Sequence, residues 1–233
     1  VFLLRISGRD AVMTAPVVAT GSLSDKVMES LFRSILDPLM DVVSRFGWST
    51  ILILLLILSY RFTDAVWGAF AYPFYLDELQ YTKSEVAVAS KFFGVGMTML
   101  GIAMGGVFFT YFGRMATLTI GAITAAASNL LYADLATGGA GLSVFAKYSG
   151  FGWIVGLFGA DDRMAKLMLA ITGENLAGGL AGAAFVAYLS AITSQRYSAV
   201  QYALLSSLTF LVGTLGRGAL GEMIQTNGYY PVF

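Results

Sequence analysis

The stretch STILILLLILSYRFTD, residues 49–64, decides the fold class of this chain. It contains the unbroken apolar run Ile51–Leu58, and apolar residues continue to about residue 74, which is long enough for a helix to cross a bilayer. Arg61 and Asp64 nevertheless lie inside this segment. A charge at membrane depth costs at least about 2.5 kcal/mol, and such residues usually face a bundle interior or a wet cavity. We therefore expect a helical membrane protein with a polar path through it.

The composition supports a membrane protein. The chain is 57% hydrophobic and 12% charged, and its mean hydropathy is +0.74, whereas soluble domains carry roughly 25% charged residues. The 14 basic and 14 acidic residues cancel, so no basic surface for nucleic acid is expected. Cysteine and histidine are absent from the sequence, so any proton coupling within these residues would fall to a carboxylate. No nucleophile motif, phosphate-binding loop or histidine-based metal set occurs, so we expect neither an enzyme nor a cofactor or metal site.

The hydropathy pattern predicts five transmembrane helices. They cover about residues 50–74, 86–112, 115–133, 164–192 and 199–220. Residues 142–159 are rich in glycine and marginal in length, and we interpret them as an interfacial or re-entrant helix, although a sixth span is the alternative. Residues 1–48 are predicted to be a cytoplasmic linker with an amphipathic surface helix, because this side of the five-span arrangement carries most of the Lys and Arg residues. The apolar end at residues 229–233 suggests a piece of a longer protein whose final helix is missing.

Two polar groups in the predicted spans are candidates for the path. Arg61 and Asp64 are three residues apart, so they share a helix face and can pair, either as a structural salt bridge or as a cavity-lining pair. Trp67, one turn further, could offer a flat apolar wall to a sugar ring. Glu174 and Asn175 lie inside the fourth span, and Glu174 has no basic residue three or four positions away. Its partner must therefore come from another helix, a substrate or a proton.

Four further residues complete the predicted substrate and proton pathway: Lys91, Asn129, Gln201 and Arg217. Lys91 and Arg217 could instead snorkel to the interface. With both included, the buried charges are three positive and two negative, which weakly favours an anionic substrate. The Gly178-x-x-x-Gly182 spacing, like the glycines of the second span, predicts close helix packing.

Five short motifs resemble the C-terminal half of the AmpG-type muropeptide permeases, a branch of the major facilitator superfamily. The motifs are YRFTDA at 60–65, SKFFG at 90–94, SNLL at 128–131, GENLAGG at 173–179 and YSAVQYALLSS at 197–207. The resemblance covers about residue 35 to the end of the chain. It implies an all-α, partial major-facilitator-type bundle in which the five spans are helices seven to eleven of a permease with twelve or more helices.

The resemblance also implies an activity and its partners. Such permeases import N-acetylglucosaminyl-anhydro-muramyl peptides across the bacterial inner membrane by proton symport, and thereby recycle peptidoglycan. The implied partners are the small glycopeptide, protons, the lipid bilayer and the N-terminal half of the same permease. Two alternatives stay open: a related carrier for another solute such as an acyl-coenzyme A, and a membrane scaffold whose buried charges are purely structural.

Overall fold

The computed structural model describes residues 23–233, with side chains for residues 28–64 and 66–233, and this part of the chain is all helical. Residues 1–22 of the predicted linker lie outside the described residues. The helices are α1 Leu23–Phe46, α2 Ser49–Tyr60, α3 Phe62–Trp67, α4 Ala71–Pro73, α5 Lys83–Ala87, α6 Val95–Ala136, α7 Ala140–Ser149, α8 Phe151–Gly156, α9 Asp162–Ile192 and α10 Ser198–Asn227. Two π-helical turns, Phe74–Glu78 and Val88–Gly94, and a 3₁₀ turn, Tyr230–Val232, complete the fold.

Three helices in the described residues are long and apolar enough to cross a membrane: Lys83–Ala136, Asp162–Ile192 and Ser198–Asn227. A fourth span would arise if Met28–Phe46 and Ser49–Tyr60, which meet at 115°, formed one broken crossing. The five separate spans are therefore not confirmed. The predicted second and third spans are two arms of one helical segment, which turns at Gly113, where φ is 78° and ψ is 174°. Glycine permits this positive φ because it carries no Cβ.

The predicted first span, residues 50–74, is not one continuous helix in the structure. Helix α2 ends at Tyr60, because the backbone of Arg61 leaves the helical region with φ −114° and ψ 16°. Helix α3 then runs for only 6 residues. Such a break frees backbone polar groups, and at membrane depth these are tolerated only where they are buried in protein or line a wet cavity. The interruption therefore places Arg61 and Asp64 at the kind of position where a cavity is expected.

The outer faces of the long helices are apolar. Met99 on α6 is 67% exposed, and Phe210 and Leu215 on α10 are 70% and 73% exposed. Large apolar side chains on the outside are expected of helices that contact lipid tails, since the bilayer interior is as apolar as leucine. The chain is accordingly a multi-pass helical membrane protein.

Helices α6 and α9 approach each other closely through glycines. A Cβ on Gly101 would lie 2.2 Å from the carbonyl oxygen of Leu176, and a Cβ on Gly179 would lie 2.4 Å from that of Thr98. By contrast, a Cβ on Gly178 would meet nothing within 4 Å. The packing role predicted for Gly178 is therefore wrong, and the neighbouring Gly179 takes it.

Residues 140–156 form two short helices, α7 and α8, which meet at Gly150, where φ is 76°. Crossing a bilayer takes about 20 residues, so neither helix spans it alone. Tyr148, Trp153 and Phe158 are 83%, 72% and 82% exposed. Exposed tyrosine and tryptophan are typical of the membrane–water interface. The interfacial or re-entrant placement of this segment stays a prediction.

Gln201 forms hydrogen bonds that connect α1 to the junction of α9 and α10. Its side chain is only 1% exposed, and its Nε2 donates to the carbonyl oxygen of Pro38 and to Asp41 Oδ2, both at 2.8 Å. Its Oε1 accepts from the backbone N–H of Ser194 at 2.6 Å and from Arg45 at 3.3 Å. The hydrogen bond from Gln201, helped by the charge of Arg45, lowers the pKa of Asp41. Gln201 is thus a structural cross-link.

Replacing Gln201 by leucine is expected to lower the free energy of unfolding by about 1–3 kcal/mol, because buried polar groups lose their partners. The measurement is the apparent melting temperature of the purified full-length protein in detergent. Gln225→Leu, at an exposed position of the same helix, is the matched control. Equal melting temperatures for the two variants would contradict the cross-link.

Candidate functional site

A cavity of about 260 Å³ lies between the α2–α3 break, both arms of α6 and α9. Six of the nine predicted pathway residues line it: Arg61, Asp64, Trp67, Asn129, Glu174 and Asn175. A larger groove of about 980 Å³ adjoins the cavity, shares Arg61 and Asp64 with it and extends to α10. The fold therefore gathers residues from four separate segments into one polar region between apolar helices.

Arg61 and Asp64 form an ion pair, with 3.2 Å between Arg61 Nη2 and Asp64 Oδ2. Both side chains are about one third exposed, at 33% and 39%. Asp64 lies in the first turn of α3, where the helix dipole favours a negative charge. The predicted pairing is confirmed, and it leaves both groups accessible from the cavity.

Glu174 has a different environment. Its Oε2 accepts a hydrogen bond from the hydroxyl of Tyr132, and that hydroxyl lies 2.7 Å from the hydroxyl of Tyr75. Tyr132 is fully buried and Tyr75 is 4% exposed. Within the part of the chain that the structure describes, no Lys or Arg lies within ion-pair distance of Glu174. Its partner is Tyr132, which Tyr75 supports in turn, and the sequence analysis missed both tyrosines.

Asn175 connects the cavity wall to α6. Its Nδ2 donates to the carbonyl oxygen of Ile171 at 2.8 Å, and its Oδ1 accepts from Thr98 Oγ1 at 2.9 Å. Thr98, which also lines the cavity, was not predicted. An amide held in this way presents fixed polar atoms toward the cavity, and Asn129 adds a second amide from the other arm of α6.

Trp67 belongs to an aromatic cluster more than to an open wall. It is 4% exposed, and its ring lies 4.7 Å from Phe233, 5.5 Å from Phe74 and 5.6 Å from Tyr132, measured between centroids. These rings cover the surface that was predicted to stack on a sugar. With only 4% of Trp67 exposed, little of its ring remains for a ligand.

Lys91 and Gln201 are not brought to the site. Lys91 is exposed on the second π-helical turn and lines neither the cavity nor the groove. Arg217 lines the groove. The charges of the combined region are therefore Arg61 and Arg217 against Asp64 and Glu174. These two positive and two negative charges balance. The excess of positive charge in the predicted pathway, which favoured an anionic substrate, is therefore absent from this region.

No family model matches the chain. Among curated proteins, it is 30% identical over 204 residues to "Putative transporter AmpG 4" of Rickettsia conorii. The matched stretch covers 86% of this chain and 43% of the relative. It is 29% identical over 205 residues to "Anhydromuropeptide permease" of Escherichia coli K12, which covers 87% of this chain and 36% of the relative.

A third relative is "Putative transporter AmpG 3" of Rickettsia typhi, 25% identical over 183 residues, with 78% of this chain and 38% of the relative covered. The chain thus spans less than half the length of these relatives. All three are named as transporters or permeases and none as an enzyme. The resemblance inferred from the motifs is confirmed, and over the matched stretch this chain is similar to AmpG-type transporters.

Proposed function

We propose that the chain is part of a major-facilitator-type permease that imports anhydro-muropeptides across the bacterial inner membrane by proton symport, for peptidoglycan recycling. The observation that carries the proposal is the cavity in which the Arg61–Asp64 pair, Glu174 and two amides face one another between lipid-facing helices. Polar residues at this depth are expensive and are most often retained for a transport path. The muropeptide as substrate comes from the name of the Escherichia coli relative.

The two volumes suit different tasks. Sites for small organic ligands typically occupy about 300–1,000 Å³. The groove of about 980 Å³ lies in that range, whereas the cavity of about 260 Å³ is smaller. The groove therefore supplies room for a bulky glycopeptide, and the cavity supplies the guanidinium, carboxylate and amide groups that recognise part of it. The other half of the permease would close the groove from the opposite side.

Proton coupling is assigned to the carboxylates of the cavity. Asp64 has Arg61 as its counter-charge, whereas a proton is the simplest counter-charge for Glu174. Secondary transporters place substrate and coupling-ion sites near the midplane, between two bundles that rock against each other. In such a motion, the cavity that contains Glu174 on α9 and Asp64 on α3 would open alternately to the two sides of the membrane.

The test uses the full-length gene in cells that lack their own muropeptide permease. Uptake of labelled anhydro-muropeptide is followed with and without a protonophore. Uptake that the protonophore abolishes would support both the substrate and the driving force. Absence of uptake by a protein shown to be in the membrane would contradict the substrate, and protonophore-insensitive uptake would contradict the coupling alone.

Gly178→Leu is expected to reduce uptake about tenfold or more, equivalent to at least ~1.4 kcal/mol of lost binding. Gly178 lines both the cavity and the groove, and its missing side chain leaves open space, so leucine would fill the path without displacing a helix. Gly96→Leu, at an exposed glycine with nothing within 4 Å, is the control. Unchanged uptake in Gly178→Leu would contradict the assignment of this space to the substrate.

A further inference from the structure

Three hydroxyl and carboxyl groups from three separate segments form a hydrogen-bonded chain. Tyr75 lies in the first π-helical turn, Tyr132 on the second arm of α6 and Glu174 on α9. A tyrosine hydroxyl carries a single hydrogen. Because Tyr132 donates that hydrogen to Glu174 Oε2, Tyr75 must be the donor in the 2.7 Å contact between the two hydroxyls. The chain therefore runs from Tyr75 through Tyr132 to the carboxylate.

This direction suits the ionised form of Glu174, whose two oxygens only accept hydrogen bonds. A protonated carboxyl group carries its own hydrogen, and it could donate to Tyr132 only if that hydroxyl turned its hydrogen toward Tyr75. The two-hydroxyl chain thus favours the carboxylate over the carboxylic acid, since hydrogen bonds to a charged group are stronger than those between neutral groups. Tyr132 on α6 and Tyr75 in the first π-helical turn are both buried, which keeps water from replacing either hydroxyl.

We propose that Tyr132, supported by Tyr75, is a positioning residue that sets the pH at which Glu174 takes up its proton during transport. The inference rests on the proposed function, and it adds two residues that no motif or charge pattern indicates. Neither tyrosine needs to touch the substrate. Their role is to orient the carboxylate of Glu174 and to stabilise its ionised form between successive protonations.

The other charged groups near Glu174 stay in place when a tyrosine is changed. Arg61 and Asp64 face it across the cavity from the α2–α3 break, and Arg217 lies on α10 in the adjoining groove. Lys91 lies on the second π-helical turn, Val88–Gly94, which packs against α9. It is exposed and outside the cavity. A change in the pH dependence of a tyrosine variant therefore reports the lost hydroxyl against a constant background of charge.

The experiment measures uptake by the full-length permease, wild type and variants, from about pH 5 to about pH 9, a range that brackets the titration of buried carboxyl groups. In Tyr132→Phe the carboxylate loses its donor, so the proton is retained to higher pH. The pH of half-maximal uptake is expected to rise by about one unit, the size expected for one hydrogen bond to a charged group. Tyr75→Phe should shift it in the same direction by less, because Tyr132 keeps its own hydrogen.

Tyr60→Phe is the matched control. Its hydroxyl donates to the carbonyl oxygen of Leu118 at 3.0 Å, so the variant loses a hydrogen bond of a tyrosine hydroxyl that does not involve a carboxylate, and its midpoint should not move. An unchanged midpoint in Tyr132→Phe, or an equal shift in Tyr60→Phe, would overturn the proposal. If Tyr132→Phe does not reach the membrane, Tyr75→Phe decides. Protonophore-insensitive uptake by the wild type would overturn the coupling itself, and the role of the tyrosines with it.

Discussion

Glu174→Gln is expected to reduce protonophore-sensitive uptake about 100-fold or more, the effect of removing an essential proton-transfer group. Glutamine has nearly the same size, and its side-chain oxygen can still accept the hydrogen bond from Tyr132, but it cannot take up a proton. The packing of α9 against α6 should therefore survive while the coupling is lost. The measurement is uptake of labelled anhydro-muropeptide by the full-length permease, at equal amounts of protein in the membrane.

Two companion variants decide how this loss is interpreted. Glu222→Gln replaces an exposed carboxylate on α10 and should leave uptake unchanged. Asp64→Asn removes the other carboxylate of the cavity and separates its role from that of Glu174. Uptake that tolerates both Glu174→Gln and Asp64→Asn would refute the coupling role of these groups, whereas loss only in Asp64→Asn would assign the proton to Asp64.

The gathering of charged residues around the cavity could be predicted from the sequence because the cost of a membrane charge does not depend on the details of the fold. Arg61, Asp64 and Glu174 each interrupt an apolar run, and the structure places all three at one cavity. Lys91 interrupts such a run as well, yet it is exposed on a π-helical turn. Hydropathy gives the depth of a residue along a segment but carries no information on which face of the helix it occupies.

The tyrosine chain could not be predicted for a related reason. Tyr132 and Glu174 are 42 positions apart, and Tyr75 and Tyr132 are 57 apart. Tyrosine is common both at membrane interfaces and in packed cores, so its presence in a span indicates no partner. Only the packing of α9 against α6, together with the contact of the first π-helical turn with α6, brings the three side chains together.

The break at Arg61 was missed because hydropathy averages over composition and does not register backbone conformation. A run of about 25 apolar residues with two charges satisfies the length requirement for a span whether or not the helix is continuous. The packing role assigned to Gly178 failed on a finer scale. Consecutive helical residues are rotated by about 100°, given 3.6 residues per turn, so Gly178 faces the cavity while Gly179 contacts α6.

Gly101→Ala is expected to lower the free energy of unfolding by about 1–3 kcal/mol, because an extra methyl group overpacks a tight core. The added methyl group would lie 2.2 Å from the carbonyl oxygen of Leu176 and 3.0 Å from the backbone nitrogen of Leu180. Both obstacles belong to the backbone of α9, so no side chain can rotate away and the two helices must separate. The measurement is the melting temperature of the purified full-length protein in detergent.

Gly106→Ala on the same arm of α6 is the control, since a Cβ there would meet nothing within 4 Å. Alanine favours a helix over glycine by about 1 kcal/mol, so this variant should melt at the same temperature or higher. Lipid tails are as apolar as leucine, and helices in a bilayer therefore associate through close packing and hydrogen bonds. If Gly101→Ala melted like Gly106→Ala, close contact at Gly101 would not be needed to hold α6 against α9.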